Sequence, residues 1–268
     1  MESLLLDVPF ECRSWYKASL DPSCWQCLIF PRFNYYRFDH VRGFYIDTRF
    51  WFLTLFYRKF VYRYLTGKLR FSMNGFVKLV VSRSCGNATS VSLPECSDQI
   101  LKYVANACPG LKALSLPSNS VLLKSNIIME LTEKLKHLES LSLGNSRNIA
   151  EILSQISLHC KNFRRLELRD CLIGDEEASS IIKLVLHIQY LVLRCSRIRR
   201  GNFITLLQVC KELVYLDASD CRDFEEDYDD ILKLASHIAY FSCEGSQLYD
   251  SEDNHGRLIS DGESSDDD

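Results

Sequence analysis

The sequence lacks an apolar run long enough to cross a membrane. Its longest apolar and aromatic run, FWFLTLFY at 50–57, is far shorter than the roughly 20 residues that a membrane-spanning helix needs. We expect no signal peptide, because MESLLLDVPFECR has neither a basic start nor a long apolar segment. The 12 cysteines are therefore expected to be reduced thiols in a cytoplasmic or nuclear protein.

A strong excess of one charge is also missing. The net charge is −3, but residues 250–268 carry eight acidic residues and one Arg, which leaves 31 basic and 27 acidic residues in the rest of the chain. The rest of the chain has a net charge of about +4, which is too weakly basic to argue for nucleic-acid binding by itself. The 250–268 segment is too acidic and too poor in apolar residues to fold, so we predict a disordered tail.

Motifs that carry catalysis are absent as well. The sequence has no P-loop and no G-x-G-x-x-G, and its histidines form no catalytic grouping. CWQC at 24–27 has the spacing of a redox or zinc motif, but no second ligand pair accompanies it, so structural thiols are the favoured interpretation. We therefore predict a protein that is not an enzyme and that holds no cofactor and no metal.

What the sequence does contain is a repeat. The outline LxxLxLxx(C/N/S) starts at positions 111, 138, 163, 188, 213 and 238, with one step of 27 residues and then four of 25; a poorer copy covers 88–96. Repeats of roughly 20–29 residues with this outline are leucine-rich repeats, each giving a short strand and then a helix. Because neighbouring repeats share one core, a stacked array is needed to bury the leucines.

The repeat predicts an α/β fold. The Leu-x-Leu pair places two side chains on the inner side of a strand, and the residues between them face outward. Apolar residues at helical spacing predict helices over 100–108, 149–160, 178–186, 203–210 and 231–236. We expect a leucine-rich-repeat solenoid over 88–249, a horseshoe with parallel strands on the concave face and helices on the convex face. Small polar or thiol residues, Asn119, Cys171 and Cys221, suit the turn after each strand.

The repeats resemble those of plant F-box proteins. Cys108, Cys160 and Cys210 open repeats in the manner of the cysteine-containing subclass. Residues 8–25, VPFECRSWYKASLDPSCW, are similar to the back half of an F-box, with matches at Cys12, Trp15, Ala18, Asp21, Pro22 and Trp25.

This second resemblance implies a partial, helical F-box over 1–32 that docks on the Skp adaptor, and through it on a cullin. Two departures from the pattern are that Glu11 stands where an apolar residue is usual, and that Met1 falls inside the second helix of the motif. Trp15 and Trp25 are expected to be buried anchors. Asp21 is expected to cap a helix that has Pro22 at its first position.

Residues 33–87 lie between the two regions. The stretch 33–71 is aromatic and basic, which is compatible with a nucleic-acid platform. The favoured interpretation is a linker and N-terminal cap of the solenoid, since Trp51, Leu53 and Phe56 would otherwise be exposed to water. A helix beginning at Ser72 is expected to lead into the first strand.

The outward-facing positions of the strands predict a binding surface. The first row holds Arg165, Tyr190, Tyr215 and Tyr240, each 25 residues apart; the second holds Glu167 and Asp217, and the third Arg169 and Arg194. Tyr and Arg are enriched in binding hot spots. The alternative is that neighbouring tyrosines simply stabilise the sheet. We predict that these eight residues contact a target protein.

Three functions are compatible with the sequence. The favoured one, implied by the resemblance, is the substrate-recognition subunit of a Skp–cullin–F-box E3 ubiquitin ligase. The second is a stand-alone repeat protein that binds partners outside any ligase, because its F-box is incomplete. The third, an RNA-binding protein that uses residues 33–71, is disfavoured by the weak positive charge.

Overall fold

A computed structural model describes residues 1–31, 55–64, 71–94, 97–117, 126–146, 148–184, 188–224 and 229–247. Within these residues, eight short strands form one parallel sheet, and a two-stranded ladder runs beside it. The helices are α1 Glu2–Leu6, α2 Val8–Glu11, α3 Arg13–Ser19, α4 Leu55–Tyr64, α5 Met73–Arg83, α6 Asp98–Ala107, α7 Ile127–Leu131, α8 Ile149–His159, α9 Asp175–Leu184, α10 Arg200–Val209 and α11 Asp229–Ala235.

The strands follow the repeat. They are β1 Cys27–Ile29, β2 Ser90–Ser92, β3 Ala113–Ser115, β4 Ser140–Gly144, β5 Arg165–Arg169, β6 Leu172–Ile173, β7 Tyr190–Val192, β8 Arg197–Ile198, β9 Tyr215–Asp217 and β10 Tyr240–Ser242. The large sheet has the order β1-β2-β3-β4-β5-β7-β9-β10, and β6 pairs with β8 in the small ladder. Each repeat thus adds one strand next to the strand of the preceding repeat.

The leucines of the repeat lie in register. Leu141, Leu166, Leu191 and Leu216 are Cα partners on adjacent strands and are fully buried. Burying such a side chain contributes about 1.5–3 kcal/mol, and here the burial depends on the neighbouring repeat. The prediction of a leucine-rich-repeat solenoid is confirmed.

The helices connect successive strands and close the other side of the core. In α8 the buried residues Ile149, Ile152, Leu153 and Ile156 have the i, i+3, i+4, i+7 spacing of one helix face. The helices predicted over 100–108, 149–160, 203–210 and 231–236 are present. The helix predicted over 178–186 is described up to Leu184.

The five strands of the large sheet from β4 onward are each followed by a residue in the same left-handed conformation. Asn145, Asp170, Cys195 and Asp220 have φ between 42° and 58°, and Gly245 has φ 75°, at 25-residue intervals. Asn and Asp tolerate this conformation better than most side chains. At Gly245 a Cβ would also meet Asp220 Oδ1 at 2.6 Å, so the last turn requires glycine.

Buried serines and cysteines satisfy the backbone after these turns. The Cys171 and Cys221 amides donate to Oγ of Ser196 and Ser246 at 3.2 and 3.1 Å, and the Cys221 thiol donates to the Leu193 carbonyl at 2.9 Å. Cys171 and Cys221 therefore occupy the turn as predicted. Asn119 lies outside the described residues.

The first strand of the sheet comes from the N-terminal segment. Cys27–Ile29 pairs in parallel with Ser90–Ser92, which places residues 1–31 directly against the first repeat. The repeat outline did not identify this strand. The buried residues of α1, β1, α4 and α5 belong to the same core as the leucines of the repeats.

An aromatic cluster lies beside this first strand. Phe56, Tyr57 and Phe60 of α4 and Phe76 of α5 are buried, and the Tyr57 hydroxyl donates to the Pro31 carbonyl at 2.8 Å. The predicted helix after Ser72 is present, and the Ser72 hydroxyl caps it by accepting from the Gly75 amide. Trp51, Leu53 and the predicted tail over 250–268 lie outside the described residues.

Among the helices of the described residues, none combines the length and the apolar character that crossing a bilayer requires.

Candidate functional site

The first outward row of the concave face is a continuous stack. Arg165, Tyr190, Tyr215 and Tyr240 are Cα partners on four consecutive strands. The Tyr215 and Tyr240 rings are 4.4 Å apart and 6° from parallel, and the Tyr190 ring lies 6.2 Å from that of Tyr215. The Arg165 guanidinium covers the Tyr190 ring at 5.8 Å. We call these four residues the aromatic row.

The aromatic row is accessible although its rings contact one another. Tyr190 and Tyr240 are 37% and 48% exposed, and the Arg165 side chain is 48% exposed. The two interpretations of the tyrosines are therefore compatible: the rings contact one another and still leave surface for a partner.

The environment changes the acidity of one ring. Partial burial, followed by the carboxylate of Asp217 and the neighbouring Tyr240, raises the pKa of Tyr215 above the usual tyrosine value. The Tyr215 hydroxyl therefore stays protonated and remains a hydrogen-bond donor at neutral pH.

The second outward row is recessed. The side chain of Glu167 is 15% exposed and that of Asp217 is 11% exposed, since the longer side chains of the flanking rows cover them. Asp217 Oδ1 accepts hydrogen bonds from the amide and the hydroxyl of Ser219, at 3.1 and 2.7 Å. Of the eight predicted contact residues, these two are placed to hold their neighbours in position.

The third outward row presents arginines. Glu167 lies between Arg165 and Arg169 on the same strand and contacts both guanidinium groups. Arg194 contacts Asp217 Oδ2 at 3.8 Å through Nε and Asp220 Oδ2 at 3.5 Å through Nη2. The structure therefore brings the eight residues of the predicted surface together, seven on four neighbouring strands and Arg194 in the turn just after β7.

The other half of the concave face is different. The outward positions of β2, β3 and β4 are occupied by small side chains, Ser90, Ser92, Ala113, Ser115, Ser140 and Ser142. From β2 onward, the large and charged outward side chains of the described strands start at β5, although Ile29 on β1 is also exposed. Tyrosines and arginines therefore occupy the outward positions of the C-terminal strands.

Trp25 and Trp15 of the F-box-like segment have opposite environments. Trp25 is fully buried, its Nε1 donates to the Ser19 carbonyl at 2.8 Å, and the Arg83 guanidinium lies 5.1 Å from its ring. Trp15 is 55% exposed, so the expectation that it is a buried anchor is wrong. The reason is that α3 lies at the surface, where Ser19 is its one buried residue.

The other F-box-like positions lie at the surface. Asp21 caps a short 3-10 helix, Pro22–Trp25, by accepting from the Ser23 amide, and Pro22 is at its first position, as expected. Cys12 and Ala18 are exposed. Cys24 and Cys27 of the CWQC motif are also exposed thiols, and no group of three or more potential metal ligands occurs in the described part of the chain.

Trp15 is one of several exposed apolar residues in the N-terminal helices. Phe10, Tyr16 and Leu20 are 44%, 48% and 40% exposed, and the Arg63 guanidinium stacks on the Phe10 ring at 3.9 Å. We call Phe10, Trp15, Tyr16 and Leu20 the N-terminal patch. Comparison with the F-box pattern identified Trp15 but missed Phe10, Tyr16 and Leu20. The feature that could have indicated them is a run of apolar residues in short helices that do not reach the core.

Three of the described aromatic residues of the basic stretch are used in the core. Phe56, Tyr57 and Phe60 are buried, so they have no free faces on which bases could stack, whereas Tyr62 and Tyr64 are 89% and 36% exposed. The burial of these three side chains weakens the argument for an RNA platform in the described part of residues 33–71.

Comparison with known proteins identifies two curated relatives from Arabidopsis thaliana. An F-box/LRR-repeat protein is 33% identical over 114 residues, which cover 41% of this chain and 35% of the relative. The F-box protein FBW2 is 23% identical over 218 residues, which cover 77% of this chain and 58% of the relative. The aligned regions therefore span about a third and somewhat more than half of the two relatives. No protein-family profile matches the chain.

Among solved structures, an internalin C2 from Listeria monocytogenes has a TM-score of 0.40 and 15% sequence identity, with 65% of this chain and 68% of that chain covered. The solenoid itself is established by the register of the strands. Together with the two Arabidopsis relatives, the strand register confirms the predicted resemblance of this chain to plant F-box/leucine-rich-repeat proteins.

Proposed function

We propose that this protein is the substrate-recognition subunit of a Skp–cullin–F-box E3 ubiquitin ligase, acting in the cytoplasm or nucleus. It performs no chemistry itself. The N-terminal patch contacts the Skp adaptor, and the concave face holds the target protein near an enzyme that other subunits recruit. The observation that carries the proposal is the exposure of the N-terminal patch on the helices whose residues match the F-box pattern.

The N-terminal patch has the properties of a protein contact. Its four large apolar side chains lie within eleven residues of sequence, although folded proteins seldom leave so many neighbouring aromatic residues in water. The segment is held against α4: the Tyr64 hydroxyl donates to the Leu5 carbonyl of α1, and the Phe10 ring of the patch lies 5.7 Å from the Tyr64 ring. A partner would therefore meet a preformed surface.

The concave face is the proposed site for the target. The aromatic row exposes tyrosine rings on three adjacent strands, and arginines border it. Rigid aromatic side chains lose little conformational entropy when they bind, which makes such rows efficient contact surfaces. The exposed tyrosines and the bordering arginines both favour the C-terminal half of the solenoid as the target site.

Co-purification with the Skp adaptor tests the ligase assignment. The wild-type chain and its Phe10→Ala/Trp15→Ala variant are co-expressed with the adaptor and compared by size-exclusion chromatography. We expect a complex with the wild type and its loss in the variant. Leu158→Ala, which removes an exposed leucine of α8, is the matched control and should retain the complex. No complex with the wild type would refute the ligase assignment.

Target binding is tested separately. Proteins captured by the wild type in native extracts are compared with those captured by a Tyr190→Ala/Tyr215→Ala variant whose folding is verified by circular dichroism. We expect the variant to lose the specific captures. Equal recovery by both proteins would rule out the concave face as the target site.

One observation favours a stand-alone binding protein as the second candidate. Trp25, part of the F-box-like pattern, is buried in the core and cannot contact an adaptor. If Trp25 serves only the fold, the concave face could bind partners outside any ligase. The outcome that selects this candidate is loss of captures in the tyrosine variant without any adaptor complex.

A further inference from the structure

The charged groups of the concave face lie at two depths. The side chains of Arg165, Arg169 and Arg194 are 48%, 43% and 42% exposed, whereas those of their partners Glu167 and Asp217 are 15% and 11% exposed. Asp170, Asp220 and Glu244 are exposed in the turns at the strand ends, so formal charges nearly cancel, but over the strands themselves a partner meets the guanidinium groups of Arg165 and Arg169 before the recessed carboxylates. The recessed carboxylates act mainly to orient the arginines.

The arginines retain unused hydrogen-bonding capacity. In the described residues, the ion pairs engage Nη2 of Arg165, Nε of Arg169, and Nε and Nη2 of Arg194. A guanidinium offers five N–H donors and accepts nothing, so each arginine keeps donors for an incoming oxygen. Glu167 supplies one negative charge against the two guanidinium groups of its own strand, which leaves a positive balance there.

The tyrosines restrict the class of partner. At 4.4 Å, the space between the Tyr215 and Tyr240 rings is already filled by their own stacking, so a nucleic-acid base cannot insert there. Asp220, 55% exposed beside Arg194, would repel a continuous phosphate backbone. Isolated carboxylates on a peptide can avoid Asp220 and still reach the arginines.

We propose that the concave face receives an acidic segment of a partner protein, whose Asp and Glu carboxylates bind the guanidinium groups of Arg165, Arg169 and Arg194. This inference rests on the proposed target site and specifies its chemistry. Arg169 ends β5 and Arg194 lies in the turn just after β7, where the Asp170 amide donates to the Arg194 carbonyl at 3.3 Å, so one segment crossing the ends of these strands can engage both. Arginine–carboxylate hydrogen bonds are charge-assisted and directional. Apolar side chains of the segment would contact Tyr190 and Tyr215.

Fluorescence anisotropy with three labelled peptides tests the chemistry. The acidic probe is Gly-Asp-Asp-Leu-Asp-Asp-Leu-Asp-Asp-Gly; the others replace every Asp by Asn or by Lys. We expect the wild type to bind the acidic probe, to bind it more weakly as salt is raised, and to bind the other two at least tenfold more weakly. Equal binding of the Asn probe, or no binding of the acidic probe, would overturn the inference.

Variants connect the binding to particular residues. Arg169→Gln and Arg194→Gln should each weaken binding of the acidic probe by about tenfold, or about 1.4 kcal/mol. Lys102→Gln on α6 removes one positive charge from the convex side and should change nothing. Glu167→Gln should tighten binding, because Arg165 and Arg169 lose their internal carboxylate. A purely structural role of these residues predicts no such gain.

Failure of this inference is distinguishable from failure of the proposed function. Unchanged binding of the acidic probe by both arginine variants would overturn the acidic-segment assignment, while loss of captures in the tyrosine variant would still support the target site. A labelled 12-nucleotide RNA that binds with the same dependence on Arg169 and Arg194 would also overturn it, in favour of nucleic acid. Tenfold tighter binding of a phosphoserine version of the probe would reject carboxylates as the preferred ligand.

Discussion

The rings of Tyr215 and Tyr240 stack face to face, 4.4 Å apart and 6° from parallel, on two strands whose residues are Cα partners. The distance is close to the spacing of the strands themselves, so the sheet fixes the geometry of the stack. The rings therefore pack neighbouring repeats against each other, while Tyr190 and Tyr240 keep part of their surface exposed.

A double-mutant cycle should measure this stacking. We expect a coupling free energy of about 0.5–1.5 kcal/mol between Tyr215→Ala and Tyr240→Ala in urea unfolding, because each variant removes the same ring contact. The pair Leu158→Ala and Tyr240→Ala, on separate parts of the fold, should be additive. If the changes in unfolding free energy are additive in both pairs, the stacking of Tyr215 on Tyr240 contributes no stability.

The two tryptophans of the F-box-like segment should differ sharply in their effect on stability. Trp25→Ala should lower the free energy of unfolding by about 3–5 kcal/mol, since it opens a cavity in the core and leaves the Ser19 carbonyl without its donor. Trp15→Ala should change it by less than about 0.5 kcal/mol, because the ring is largely in solvent.

Chemical denaturation of both variants measures the difference. Trp25→Phe, which keeps an aromatic ring but loses the hydrogen bond, should fall between the two. Similar losses for Trp15→Ala and Trp25→Ala would mean that Trp15 also anchors the segment.

The strands and helices of the repeats could be predicted because each repeat has the same environment. Leu166 and Leu191 occupy equivalent positions, so the period of the leucines alone predicts that their strands pair. β1 could not be predicted in this way: its partner Val91 lies 63 residues beyond Leu28, and no repeat unit separates them. Its pairing depends on where the N-terminal helices place the chain.

The sequence also did not predict how deeply individual side chains are buried. Alternation along a strand predicts correctly that Glu167 and Asp217 point outward, but not that Tyr and Arg on both sides cover them. Trp15 and Trp25 are both tryptophans of the same motif, and only their places in the fold distinguish them: Trp15 lies on the surface helix α3, and the buried Trp25 ends the short 3-10 helix before β1. Predictions of pairing were therefore more successful than predictions of exposure.

The buried serines after the turns should differ in their contribution to stability. Ser246 Oγ accepts from the Cys221 amide at 3.1 Å and donates to the Ala218 carbonyl at 2.9 Å. Ser246→Ala leaves both backbone groups unsatisfied and should cost about 2–4 kcal/mol. Urea unfolding measures this loss.

Ser146 is the matched control, at the equivalent position four repeats earlier. It is also buried, but its Oγ has no hydrogen-bond partner among the described residues. Ser146→Ala should therefore leave the free energy of unfolding unchanged or raise it slightly. A loss equal to that of Ser246→Ala would show that the Ser146 hydroxyl is satisfied in solution.

The buried cysteines should make the fold sensitive to alkali. Burial raises the pKa of Cys210 and Cys221 to about 12, whereas thiols of the unfolded chain ionise near pH about 8.5. The folded-state pKa is raised, so the stabilising contribution is complete below the unfolded-state pKa and is lost as the pH rises towards the folded-state value. For each of these thiols, the free energy of unfolding should fall by about 2 kcal/mol as the pH rises from 8 to 10.

Urea unfolding in a reducing buffer at pH 8 and pH 10 isolates this contribution. Lysines and tyrosines also titrate in this range, so the informative quantity is the difference between the wild type and the Cys210→Ala/Cys221→Ala variant. The variant should be less stable at pH 8, because it loses packing, but should lose about 4 kcal/mol less on going to pH 10. Cys12→Ala, at an exposed thiol, should keep the pH dependence of the wild type. If all three proteins lose the same free energy, burial of neutral thiols is not what makes the fold alkali-sensitive.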